Sequence, residues 1–302
     1  MVAGKAFQLD GRPQFVVGVS LFDALGSTGV RDHDLDALKA WGVNLVRVWA
    51  HWHEPIYRPD GSLSDVGRTR LLQLAKRLES RRMIFELVLL RPGQLPGQPF
   101  GLFTSETARV NAVGSITVAL REFRNVLFDL YNEHDHPDGP ISHREARVLR
   151  DKVKAIDPAR LVTISSTEHH FMSANGEVEE AGALNLREEA GTGPVAVGVD
   201  VVAAHFPRTK DWASATGRRT RALRAALDRA DRQLPIYLNE ERREDRGAPL
   251  GADSYAQAIN EARSAGAAGW LFHTAAGFEL VKKPFLDALS ADERAGLQRL
   301  RR

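Results

Sequence analysis

The chain has 302 residues, 43% of them hydrophobic, with 41 Lys and Arg against 39 Asp and Glu. That length suggests about two domains on a simple prior, yet one α/β barrel commonly takes about 250 residues or more, and a net charge of +2 gives no footing for nucleic acid. The absence of cysteine removes disulfides, thiolate nucleophiles and thiolate metal sites, and no apolar stretch approaches the roughly 18 residues of a membrane span.

Met1-Val-Ala-Gly-Lys5 lacks the apolar core of a signal peptide and leads within about ten residues into a strand. The compartment stays open: cytoplasmic, or secreted if the chain is a processed form. Eight short, β-rich apolar runs follow, at Phe15–Ser20, Asn44–Trp49, Met83–Leu90, Val126–Tyr131, Leu161–Ser165, Val199–Ala204, Pro235–Asn239 and Ala268–His273. Several are nearly continuous rather than alternating, as expected of parallel strands covered on both faces.

Helical patterns separate them. Asp34–Trp41 carries Leu35, Leu38 and Trp41 at helical spacing and stops at Gly42; Val66–Arg81 puts Leu71, Leu72, Ala75 and Leu78 on one stripe. A further helix precedes Asn125, and Ser142-His-Arg-Glu145 and Ser290-Ala-Asp-Glu293 fit the capping box. Arg218–Gln233, Ser254–Ala265 and Pro284–Leu300 complete the set, with a short, glycine-interrupted candidate at Ala181–Ala190. Strand and helix alternating eight times predict a single (β/α)₈ TIM barrel spanning 1–302. An open doubly wound sheet would show a glycine-rich phosphate loop early, and Gly18-Val-Ser-Leu-Phe22 does not supply one. The extra length lies in loops after strands, at 91–105, 166–176 and 241–251, on the face where barrels build active sites.

Two glutamates close strands on that face: Glu133 after the fourth run and Glu240 after the seventh, each preceded by Asn. Two carboxyl groups about 5 to 5.5 Å apart are what a retaining glycosidase needs, one as nucleophile and the other as acid and then base. Glu241 follows Glu240 directly, so either could be the nucleophile.

Phe7–Pro13 before Val16–Ser20, Leu38–Trp49, Arg124–Glu133, Ile156–Val162, Asp200–His205, Leu234–Glu240 and Gly269–His273 together resemble the family 5 type of clan A retaining glycoside hydrolases. The likeness covers nearly the whole chain in order, and the strand-four Asn-Glu pair is its most specific element. It implies a metal-free, cofactor-free hydrolysis of a β-linked glycosidic bond in an oligosaccharide, polysaccharide or glycoside, with Glu133 as acid/base and Glu240 as nucleophile. Asn132 would bond the sugar hydroxyl beside the anomeric carbon, Arg47 would pair with the nucleophile, His205 would orient it, and Trp270 would stack under the sugar. For Arg47 the alternative is a structural ion pair, and for Trp270 ordinary barrel packing. Trp49, His51 and His169, with Trp52, His53, His170, Phe171 and Phe206, could line the cleft.

The chain departs from the family pattern in three places: His134 stands where Pro usually follows the acid/base, the third strand carries no His, and Pro207 occupies the position of a frequent aromatic hydroxyl. Two other readings remain. His51-Trp-His53 with His169, His170, His205 and His273 could serve a metal-dependent TIM-barrel hydrolase, or the barrel could bind sugar without catalysis.

Overall fold

Each of the eight apolar runs carries a strand in the computed structural model, which describes residues 1–91, 103, 105–136, 139–166, 197–244 and 250–300. Three short strands come first, β1 (Val2–Ala3), β2 (Ala6–Leu9) and β3 (Arg12–Gln14), paired antiparallel as a small sheet of their own. The barrel strands are β4 (Val16–Ser20), β5 (Leu45–Trp49), β6 (Ile84–Val88), β7 (Val126–Asp129), β8 (Leu161–Thr163) with β9 (Ser165–Ser166), β10 (Val202–Ala204), β11 (Ile236–Leu238) and β12 (Gly269–Phe272).

All barrel pairings are parallel. β8 pairs with β7 and β9 pairs with β10, so the fifth strand, broken only at Ile164, closes the sheet into an eight-stranded barrel. The sixth strand begins at Val202 rather than Val199. Asp200 explains the late start: its side-chain oxygen accepts from the Val162 N–H at 2.8 Å, taking a place on the ladder that a backbone carbonyl would otherwise fill.

Among the described residues the α-helices are α1 (Asp32–Ala40), α2 (Asp65–Ser80), α3 (Glu106–Leu120), α4 (His143–Ile156), α5 (Trp212–Arg229), α6 (Ala252–Ser264), α7 (Phe285–Ala288) and α8 (Ala291–Arg299). Serine side chains accept from backbone N–H groups at the starts of α2, α3, α4 and α8, each such cap contributing about 1 kcal/mol. At Ser290 the box is reciprocal, and this cap divides the segment 284–300 into two helices where one was expected. Helix α1 stops at Gly42, whose φ of 93° suits glycine. Helix α5 starts six residues before the expected Arg218, and inside it Thr216 and Thr220 donate their hydroxyls to the carbonyls of Trp212 and Thr216. The candidate helix Ala181–Ala190 lies outside the described residues.

Alternate residues of the strands face opposite ways. Val16, Leu45, Ile84, Leu127, Val201, Tyr237 and Leu271 fill the barrel interior near the strand starts, and Phe7 of β2 plugs that end, edge-on to Tyr237 at 6.1 Å. Gly18 belongs to this crowd: a Cβ there would come within 2.9 Å of Leu45 and of the Tyr237 hydroxyl. The other parity packs against the helices in one large core. Above the apolar plug, toward the strand ends, the interior turns polar. No helix among the described residues is long and apolar enough to cross a membrane.

Candidate active site

Arg47 stands one inward step above Leu45 on β5 and has no exposed surface. A lone charge there would be prohibitively costly, so its donors must all be met. Nε donates to Glu86 Oε1 at 3.0 Å, Nη1 to Glu240 Oε2 at 3.0 Å, and Nη2 to Asp129 Oδ2 at 2.8 Å and Asn132 Oδ1 at 2.7 Å. One guanidinium thus ties strands β5, β6 and β7 to Glu240, two residues past β11. Its face lies 4.2 Å over the Trp49 ring. Burial pushes the Glu86 carboxyl up to about 7, with Asp129 adding to the rise and Arg47 opposing it.

Asn132 has its oxygen turned to Arg47, which can only donate, so its NH₂ is the group left to face the cleft. The next residue, Glu133, has φ of 51°, in the left-handed region that is uncommon for a side chain this long. Neighbouring bonds fix that turn: Asn132 N–H to Leu90 O at 2.8 Å, Glu133 N–H to Ser165 Oγ at 3.2 Å, and His134 N–H to Ser165 O at 3.0 Å. Ser165 also donates its hydroxyl to Asp129 at 3.0 Å. Local strain of about 1–3 kcal/mol is held by this network, as often found where a side chain must be aimed.

Glu240 comes from the opposite wall. His205 Nδ1 lies 3.1 Å from Glu133 Oε1, and its Nε2 lies 3.7 Å from Glu240 Oε2. One oxygen of each glutamate and a ring nitrogen of His205 all fall within 4.8 Å of one another. Burial alone would raise the Glu240 pKa, but the surrounding His273, His205, Arg208 and Arg47 outweigh it and hold the carboxyl well below the ordinary range. Burial also keeps His273 neutral, its own pKa falling well below the usual value, so the dependable charges on Glu240 are the two guanidiniums. Neutral His273 donates through Nδ1–H to Glu241 O at 3.0 Å and accepts at Nε2 from Arg243 Nη1 at 3.3 Å.

Of the residues expected from sequence, Glu133, Glu240, Arg47, Asn132 and His205 meet, and Trp49 packs beneath them, stacked on Phe22 at 3.6 Å. Glu241 turns away toward α5, where Thr216 Oγ1 lies 3.5 Å from its carboxyl. Trp270 is a correction. It sits at the outward parity of β12, 1% exposed, edge-on to Phe272 at 6.2 Å in the layer between barrel and helices, so it cannot stack under a sugar. His51 is buried near Tyr57, neutral, its pKa lowered to about 3 by burial and by Arg91. His169, His170 and Phe171 lie outside the described residues.

Sequence reading missed Glu86, Asp129, Ser165 and Arg208. The first two left a signal, a carboxylate inside an otherwise apolar strand, which needs a buried partner. The aromatic wall was also only half seen: Phe278 and Phe22 join Trp49 and Trp52, with ring centroids 4.2 Å apart for Phe22 and Phe278.

The Glu133, His205 and Glu240 atoms are close enough to suggest a cation, but their chemistry does not fit one. Arg47 and Arg208 Nη2, the latter at 2.9 Å, already donate to both oxygens of Glu240, and an ion would face two fixed positive charges. The His51-Trp-His53 pair is splayed, with His53 Nε2 2.8 Å from Phe278 O and His51 against Tyr57.

No protein-family profile and no curated protein sequence matches the chain at a significant level. Solved structures do match in shape. XacCel5A in complex with cellopentaose aligns with a TM-score of 0.66 at 15% identity, over 95% of this chain and 99% of that one. The exo-β-1,4-mannosidase Op5Man5 from Opitutaceae bacterium strain TAV5 gives 0.69 at 17% identity, over 99% of this chain and 61% of that one. PbGH5A, a glycoside hydrolase family 5 enzyme from Prevotella bryantii B14, gives 0.65 at 14% identity, over 96% of both chains. The (β/α)₈ barrel of this chain is therefore similar in fold to the barrels of family 5 glycoside hydrolases.

Proposed function

We propose that the protein is a retaining glycoside hydrolase. The observation that carries this reading is the approach of Glu133 and Glu240, borne on opposite barrel strands, to within 4.8 Å around His205. With one oxygen of each carboxyl within 4.8 Å of the other, the pair is nearer the about 5–5.5 Å spacing of a retaining enzyme than the about 6.5–9.5 Å that leaves room for an attacking water, which supports direct attack by one carboxylate.

Glu240, kept ionised by its guanidiniums, attacks the anomeric carbon while Glu133 gives its proton to the leaving oxygen. Glu133 then takes a proton from water, the water oxygen bonds to the anomeric carbon, and the electron pair of the glycosyl-ester bond returns to Glu240. Asn132 offers its NH₂ to the hydroxyl next to the anomeric carbon, a bond that strengthens as charge develops there. Trp52 and Phe278, at the open side of the aromatic wall, suit the C–H face of a pyranose.

The cellopentaose and β-1,4-mannosidase of the similar structures support a β-linked glucan or mannan as the substrate class. The test is a screen of β-glucan, mannan, xylan and aryl β-glycosides, with the first product anomer followed by NMR. Retained configuration is expected. Inversion, or no turnover of any β-glycoside, would overturn the reading.

A further inference from the structure

The segment after β10 runs His205-Phe-Pro-Arg208, so the position at which the resemblance places an aromatic hydroxyl is a proline with no donor. Arg208, the next residue, reaches Glu240 instead. Its Nη2 donates to Glu240 Oε1 at 2.9 Å while Arg47 holds Oε2 at 3.0 Å, leaving the carboxylate gripped on both oxygens. The two arginines are not equivalent. Arg47 is fully buried and shared among three carboxylates, whereas the Arg208 side chain is 30% exposed at the cleft mouth.

The backbone that presents Arg208 is itself clamped. Buried Arg219 donates through Nη1 to Pro207 O at 2.8 Å and through Nη2 to Thr209 Oγ1 at 3.1 Å, and Arg242 Nη1 donates to Thr209 O at 2.8 Å. Both residues flanking Arg208 are thus tied down, which fixes where its guanidinium can reach.

We propose that Arg208 is a positioning residue for the nucleophile, holding the charged Glu240 carboxylate in the free enzyme and drawing it off the sugar in the second step. This rests on Glu240 being the nucleophile. In the first step a Glu240 oxygen bonds to the anomeric carbon, the glycosidic C–O bond breaks with its electron pair on the leaving oxygen, and Glu133 supplies the proton. Glu240 then carries no charge, and Arg208 faces a neutral ester. In the second step the ester C–O bond breaks and the pair returns to Glu240, restoring the ion pair. Arg208 therefore stabilises the carboxylate before and after, and the intermediate hardly at all. Its loss favours the intermediate, slowing the second step relative to the first.

The experiment uses a 2,4-dinitrophenyl β-glycoside of the sugar the native enzyme turns over, with native protein, R208K and R208Q. In R208Q, kcat and KM are expected to fall together by about tenfold with a pre-steady-state burst, and the acid limb of kcat/KM to move up by about one pH unit. R208K should keep the limb near its native place. R208A is a second neutral variant in case R208Q is poorly folded, and added guanidinium ion should return its limb toward native. An unmoved limb in both neutral variants, with kcat/KM lowered equally at every pH, overturns the proposal. A 2-fluoro glycoside applied to the native enzyme separates the two levels: failure to label Glu240 sinks the nucleophile reading, while labelled Glu240 with an unmoved limb sinks only the role of Arg208.

Discussion

Arg47 Nη1 and Glu240 Oε2 lie 3.0 Å apart inside the barrel, where Arg47 is wholly out of contact with solvent. The pair links the second barrel strand to the seventh, and through the same guanidinium to Glu86 and Asp129. Structural ion pair and charge-holder for a nucleophile are therefore one arrangement. Replacing Arg47 by Gln would take the cation from the buried carboxyls of Glu86 and Asp129 and leave Glu240 with Arg208. A loss on the order of 3–5 kcal/mol is expected, seen as a lowered urea midpoint. Unchanged stability would mean that the cluster relaxes or protonates at little cost.

Glu133→Gln keeps the shape of the acid/base and removes its proton chemistry. Turnover of unactivated substrates should fall by about 10²- to 10⁴-fold while substrate binding, measured calorimetrically, stays near native. A barrel that only bound sugar would show no native turnover to lose.

Glu241 gives a pH signature distinct from catalysis. Burial pushes its carboxyl up to about 7, with Arg219, Arg208, Thr216 and His205 only partly offsetting it. The native state thus keeps a proton that the unfolded chain releases near the usual value of about 4.3. The stabilisation is complete below that value and is lost as pH rises to about 7, a span of on the order of 3 kcal/mol. Glu241→Gln carries no such proton, so its stability should gain on the native protein by about that amount between about pH 4.5 and 7.5 in denaturant titrations. A constant difference would show that Glu241 is ionised in the fold.

Trp270 should matter for stability and not for substrate. Trp270→Ala removes a large side chain between barrel and helices, costing roughly 3–5 kcal/mol, with KM of the folded fraction unchanged. A raised KM at unchanged stability would restore the stacking role.

The fold was legible because hydrophobic runs of strand length alternate with helical stripes, and eight parallel strands close in only a few ways. The two glutamates were legible because strand ends of a barrel share one rim. What stayed hidden depends on parity and on loops. Trp270 and His273 lie in the same short run, and only the direction of alternation separates an outward core residue from an inward site residue. Without a fixed register, periodicity does not supply that direction. Arg208 was illegible for another reason: it lies past the strand, and its reach is set by distant Arg219 and Arg242. Glu86 and Asp129 could have been suspected, since a carboxylate in a buried strand needs a cation and Arg47 was already in view.

In the proposed mechanism everything turns on Glu240 forming the covalent bond to the sugar. A 2-deoxy-2-fluoro β-glycoside with a good leaving group should inactivate the protein one-to-one, and mass mapping of the digested protein should place the added sugar on Glu240. A label on Glu241 or elsewhere, or turnover of the parent glycoside with no label trapped, would contradict it.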